Sequence, residues 1–120
     1  MAISTTPWSG GVTGGAASTP QNLQTLIAAL PAASQPQQLN NPSGIIRAAY
    51  IKIQADLAAG GARFYIGNRS NITITDCGVQ LVAGQVWQPP SMGFNLYRLD
   101  QIWVFSDTPS VVWLIEFLTR

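Results

Sequence analysis

Histidine is absent from this chain, cysteine occurs once, and charged residues make up only 9% of its 120 positions. Each shortage excludes a class of chemistry. Without histidine there is no Ser-His-Asp triad, no Cys-His dyad and no imidazole ligand for a metal. The single cysteine, Cys77, closes no internal disulfide and builds no cysteine-based zinc site. No apolar run approaches the ~18 residues needed to cross a bilayer. The sequence does not open on a basic segment followed by an apolar one, so no export signal is expected. Six Lys and Arg against five Asp and Glu leave a formal net charge of +1. That balance offers no electrostatic footprint for nucleic acid or an anionic membrane. Asp56, Asp76, Asp100 and Asp107 stand beside Gly, Pro or strand ends, where Asp makes local turns, and no calcium-loop pattern occurs. The reading is of a non-enzyme without cofactor, metal or small-molecule substrate.

What remains is ordinary for a folded protein: 47% of residues are hydrophobic, too many for a chain disordered by composition. Charge is unevenly distributed, because no Lys, Arg, Asp or Glu occurs before Arg47. Residues 1–44, rich in Gly, Pro, Ser, Thr, Gln and Ala, read as an uncharged extended arm. Within it a short helix is predicted near residues 20–30. Thr19 is the candidate N-cap, Pro20 suits the first turn, and Pro31 marks the stop. Leu23, Leu26, Ile27 and Leu30 recur at helical spacing. A helix of about eleven residues is unstable alone in water, so this stripe must dock, either on its own domain or on a neighbouring subunit.

Residues 45–120 read as a β domain. Ala49, Ile51, Ile53 and Ala55 alternate with Tyr50, Lys52, Gln54 and Asp56, the period-two signature of a strand. A helical face through Ile46, Tyr50, Ile53 and Leu57 competes, and the isoleucine density favours the strand. Further strands are predicted at Arg63–Ile66, Asn71–Thr75, Val79–Val82 and Gln85–Trp87, with a loop over 91–95 carrying Met92 and Phe94. A closing hairpin is expected from Gln101–Ser106 and Val111–Leu118, turning through Asp107–Ser110. The fold class is therefore mainly β: an antiparallel sandwich or small barrel of about six to eight short strands, preceded by the arm.

The last strand is apolar on both faces. Val111, Trp113, Ile115 and Phe117 share one face, and Val112, Leu114 and Leu118 the other, interrupted only by Glu116. A strand with one solvated face alternates apolar with polar residues. The second face is thus covered either by the arm or by another subunit, and the four tryptophans of so short a chain favour the subunit. Trp8, Leu23, Leu26, Ile27 and Leu30 in the arm, with Val112, Leu114 and Leu118, are the expected interface residues.

Residues 50 to 68, from Tyr-Ile-Lys-Ile-Gln-Ala-Asp to Phe-Tyr-Ile-Gly-Asn, resemble a stretch of small tailed-bacteriophage virion proteins. There a strand ending in an Ile/Val-Gly-Asp/Asn turn precedes a leucine-and-glycine reversal and a closing hairpin. Val79 to Gln85 and Leu99 to Leu118 match those parts, and the arm is unmatched. The resemblance implies a non-enzymatic structural subunit, with a capsid cement or decoration protein as its leading version. Its partners would be the major capsid protein and copies of itself, in a virion assembled in the bacterial cytoplasm. On this reading the arm clamps neighbouring shell subunits, since about forty extended residues span more than 100 Å. Deleting residues 1–44 would then abolish shell binding and leave the β domain folded. Alternatives are a neck or tail adaptor, and a carbohydrate-binding β-module using Trp87, Phe94 and Trp103.

Overall fold

A computed structural model describes residues 6–36, 44–89 and 97–119. Ten strands and one short α-helix form among them. In chain order the strands are β1 (Thr6–Thr13), β2 (Gln21–Asn22), β3 (Arg47–Ala48), β4 (Tyr50–Ala55) and β5 (Arg63–Gly67). They continue as β6 (Val79–Val82), β7 (Val86–Trp87), β8 (Tyr97–Arg98), β9 (Trp103–Ser106) and β10 (Val112–Thr119). One four-stranded sheet has the order β1-β10-β4-β7 and a second the order β2-β9-β5-β6, while β3 and β8 pair separately. All the pairings are antiparallel.

The two larger sheets share one core. Val12, Ile51, Ile53, Trp113, Ile115 and Phe117 from the first meet Phe64, Ile66, Leu81 and Val104 from the second. Phe64 and Trp113 touch edge to face with ring centroids 4.7 Å apart, joining the layers at their centre. The arrangement is a sandwich of mainly antiparallel β structure, and β4 shows why. Its residues alternate between half-buried and buried along the whole strand, as the period-two pattern requires.

The expected arm is not separate from the domain. β1 pairs with β10 along all eight residues, from Thr6 opposite Thr119 to Thr13 opposite Val112. The helix α1 (Leu23–Ala28) inserts Leu23 and Ile27, both fully buried, and Leu26 into the common core. Among the described residues the segments on either side of residue 44 therefore belong to one structural unit. Most described residues of this stretch are nevertheless exposed or half-buried, so burial does not explain its freedom from charge.

The helix is also shorter than expected and starts later. Gln21 and Asn22 pair with Val104 and Trp103 of β9, so the ladder takes up residues that the Thr19-Pro20 signal assigns to the first turn. Asn22 is the N-cap: its side-chain oxygen accepts from the Thr25 amide at 3.2 Å, and its Nδ2 donates to the Asp100 carbonyl. Asn22→Ala should destabilise the fold by about 1–2 kcal/mol, the usual cost of a lost cap with a lost tether, measurable by urea denaturation.

Two connections depart from the hairpin reading. β9 lies in the second sheet and β10 in the first, so the Asp107–Ser110 turn carries the chain between layers. Asp107 holds that turn to β5 by accepting from the Arg63 amide at 2.9 Å, and Ser110 adopts a φ of 56° at the reversal. The Ala83-Gly84 reversal likewise passes from β6 to β7 in the other sheet, with Gly84 at φ 84°. Residues 71–75 form no strand, only an isolated bridge between Thr73 and Asp76. Thr73 Oγ1 accepts the Asp76 amide and Arg69 pairs with the Asp76 carboxylate, closing a local turn in place of a ladder. Ile72 leaves that turn to pack on Tyr65 and Phe105, whose rings stack at 4.7 Å on the second sheet. A Cβ on Gly67 would collide with Ile72, so glycine there lets the loop fold back.

Candidate functional site

The outer face of the first sheet is built from four cross-strand rows. In one row Pro7, Leu118 and Tyr50 lie side by side; in the next, Ser9, Glu116 and Lys52. A third row runs from Gly11 through Leu114 and Gln54 to Val86, and a fourth joins Thr13 to Val112. Because β10 is central, its outward residues Val112, Leu114, Glu116 and Leu118 form the middle of this face. Leu114 is 39% exposed and Val86 42%. No described element of the chain covers them.

Small residues on β1 give this face its relief. Gly11 has no side chain beside Leu114, and Ser9 has a short one beside Glu116. Two depressions result, one of about 280 Å³ between Gly11, Lys52 and Leu114, and one of about 430 Å³ along Pro7, Tyr50 and Leu118. Trp8 borders the larger one. Its ring stacks on Phe117 at 5.3 Å, and its indole N–H donates to the Ser34 carbonyl at 3.1 Å.

Charge on the face is sparse and local. Burial first, and then the charge and hydrogen bonding of the Glu116 carboxylate, raise the Tyr50 hydroxyl above its ordinary pKa. A raised folded-state pKa means that the folded chain holds the proton more tightly than the unfolded one. Stability from this group is therefore complete below pH ~10 and declines as pH rises through the folded pKa. Tyr50→Phe should flatten that alkaline decline, as urea midpoints measured between neutral and strongly alkaline pH would reveal.

The residues expected at an interface divide into two groups. Leu23, Leu26 and Ile27 are buried in the chain's own core and present nothing to a partner. Their helical stripe docks internally, the first of the two alternatives open in the sequence. Leu30 is half-buried against the same core. Trp8, Val112, Leu114 and Leu118 remain partly or well exposed, and the last three share the outer sheet face. Tyr50 and Val86 also belong to that face. The alternation of β4 points to Tyr50, but Val86 joins only through pairing of β7 with β4, which no local pattern signals.

The aromatic residues considered for sugar binding are not gathered together. Trp87 lines a cleft of about 380 Å³ with Ile66, Tyr97, Arg98 and Ile102. Trp103 packs instead in the cluster of Tyr65, Ile72 and Phe105, and Phe94 lies outside the described residues. No family model matches the chain, and neither does any curated protein or solved structure. The outer sheet face therefore has to be read on its own chemistry.

The aspartates have local structural roles. Asp56 accepts from the Ala58 amide, Asp76 pairs with Arg69, and Asp107 receives the Arg63 amide. Asp100 holds Arg98 through two hydrogen bonds of 3.1 and 2.7 Å, which keeps the guanidinium pKa above its usual value. Cys77 is half-buried beside the Tyr65 cluster.

Proposed function

We propose that this chain is a non-enzymatic structural subunit of a tailed-phage virion, of the capsid decoration type, docking on the major capsid protein through the outer face of its first sheet. The observation that carries the reading is the central strand β10, apolar on both faces, with its outer face left open by the described chain. Interface cores are depleted in charge and enriched in apolar and aromatic residues. The rows around Leu114 and Leu118 have that character, with one acid and one base among them. Resemblance of residues 45–118 to small virion proteins supplies the choice of partner.

The mode of attachment differs from an arm that spans neighbouring subunits. β1 and the helix α1 are committed to the subunit's own sheet and core, so docking rests on the sheet face. Many copies on a repeating lattice then bind collectively even where each contact is modest.

Mass spectrometry of purified particles, with heads and tails separated, tests this assignment. Abundance in heads close to that of the major shell protein is the expected result. A trace amount following necks or tails would replace it with a ring-forming adaptor. Absence from particles would overturn the virion reading and favour a soluble binding module built on the Trp87 cleft.

A further inference from the structure

β1 has one partnered edge and one open edge. Its ladder to β10 is unbroken, and in the described residues no strand or backbone group bonds to its other side. The Gly14 amide donates to the Val111 carbonyl at 2.8 Å, which fixes the phase of that ladder. In an antiparallel pair, alternate residues point their peptide groups at the partner strand. Trp8, Gly10 and Val12 therefore face β10, while Pro7, Ser9, Gly11 and Thr13 point theirs outward.

The position of the proline agrees with this phase. Pro7 lacks an amide hydrogen and stands at an outward position, where the β10 ladder needs none. Beyond it, Ser9, Gly11 and Thr13 offer both N–H and C=O to an incoming strand. Open edges are commonly protected by lysine, inward charge, bulges or a covering segment. β1 carries no charge and no bulge in its described register.

We infer that the outer edge of β1 pairs antiparallel with β1 of a second copy, about a two-fold axis at Gly11. This deepens the assembly reading above by naming a second copy as partner, and it rests on that reading only for its purpose. Pro7 favours the register in which every bonded pair is reciprocal. With Gly11 opposite Gly11, Ser9 falls opposite Thr13 and each of these pairs exchanges both backbone bonds. Pro7 then falls opposite Gly15, outside the bonded set. Centring on Ser9 would place Pro7 opposite Gly11 and leave four bonds in place of six; centring on Gly10 would keep six, but two of them would reach the Pro7 carbonyl with no bond in return. Self-pairing also brings like residues together, and an uncharged strand meets no like-charge penalty. The product is a continuous eight-stranded sheet whose two outer faces lie side by side.

Amide hydrogen exchange on the full chain, at low and high protein concentration, tests the pairing. Trp8, Gly10 and Val12 should be protected throughout, whereas Ser9, Gly11 and Thr13 should gain protection only as concentration rises and sedimentation shows dimer. Ser9→Pro removes an outward N–H while sparing the β10 ladder, and should abolish the dimer with the fold retained. A second variant, Ser9→Cys with Thr13→Cys in a Cys77→Ser background, should form a disulfide-linked dimer joining positions 9 and 13 across copies. Monomer at every concentration, concentration-independent protection of the three outward amides, or a dimer that survives Ser9→Pro would overturn the inference. Shell binding by monomeric Ser9→Pro would leave the docking proposal standing, and dimer without shell binding would defeat docking alone.

Discussion

Removal of residues 1–44 is expected to abolish cooperative folding of the rest of the chain. The truncation takes away β1, which covers one side of the central strand β10 over its full length. It also takes away Val12, Leu23, Leu26 and Ile27 from the shared core. Losing a buried Leu or Ile side chain typically costs about 2–5 kcal/mol. Three such losses, with that of Val12, approach or exceed the roughly 5–15 kcal/mol that holds a domain folded. Trp113 and Phe117 would also become accessible from the vacated side, favouring aggregation. Circular dichroism and urea unfolding of the truncated chain are the direct measurements. A cooperative transition close to that of the full chain would show that the N-terminal part is an appendage after all.

Trp113→Ala should be the most damaging single substitution, lowering stability by about 3–5 kcal/mol. Trp113 is 1% exposed and contacts Phe64 edge to face across the two sheets. Truncation removes both the largest buried side chain of β10 and its aromatic contact, leaving a cavity that backbone ladders on both sides keep from closing. Leu114→Ala, one residue away on the outer face, should cost far less because Leu114 is already substantially exposed. Paired urea curves should thus separate inward from outward positions of the same strand.

Much of the β architecture is legible in the sequence, because burial on one face of a strand leaves a two-residue period. That period marks Tyr50–Ala55 correctly and identifies Trp113, Ile115 and Phe117 as core. It does not report which strands become neighbours. Turn residues such as Asp107-Thr108-Pro109 and Ala83-Gly84 specify that the chain reverses; whether the next strand pairs with the last or crosses to the other layer depends on packing far away. The N-terminal stretch is misleading for a related reason. Absence of charge, with scattered Gly and Pro, is common to flexible linkers and to an edge strand followed by a buried helix. Only the docking of Leu23 and Ile27 on Ile102, Val104 and their neighbours distinguishes them. Residues 71–75 show the converse error. Their alternation is genuine, but Thr73 and Asp76 bond to each other and close a turn before any ladder extends.

The candidate surface is legible in part. The doubly apolar character of β10 points to Val112, Leu114 and Leu118 without any knowledge of the fold. Their assembly with Tyr50, Lys52 and Val86 into one face requires the strand order β1-β10-β4-β7. The small residues of β1 acquire meaning only there, since Ser9 and Gly11 leave the depressions beside Leu114 and Glu116.

Docking through this face is tested most directly by co-sedimentation with undecorated capsid shells, comparing the natural chain with Leu114→Lys. The substitution adds charge at an already exposed position, so folding should be nearly unaffected, while placing an unpaired ammonium in a contact core should greatly weaken binding. Saturable binding of the natural chain, lost in a well-folded Leu114→Lys variant, is the predicted result. Equal binding by both chains would contradict attachment through the outer sheet face.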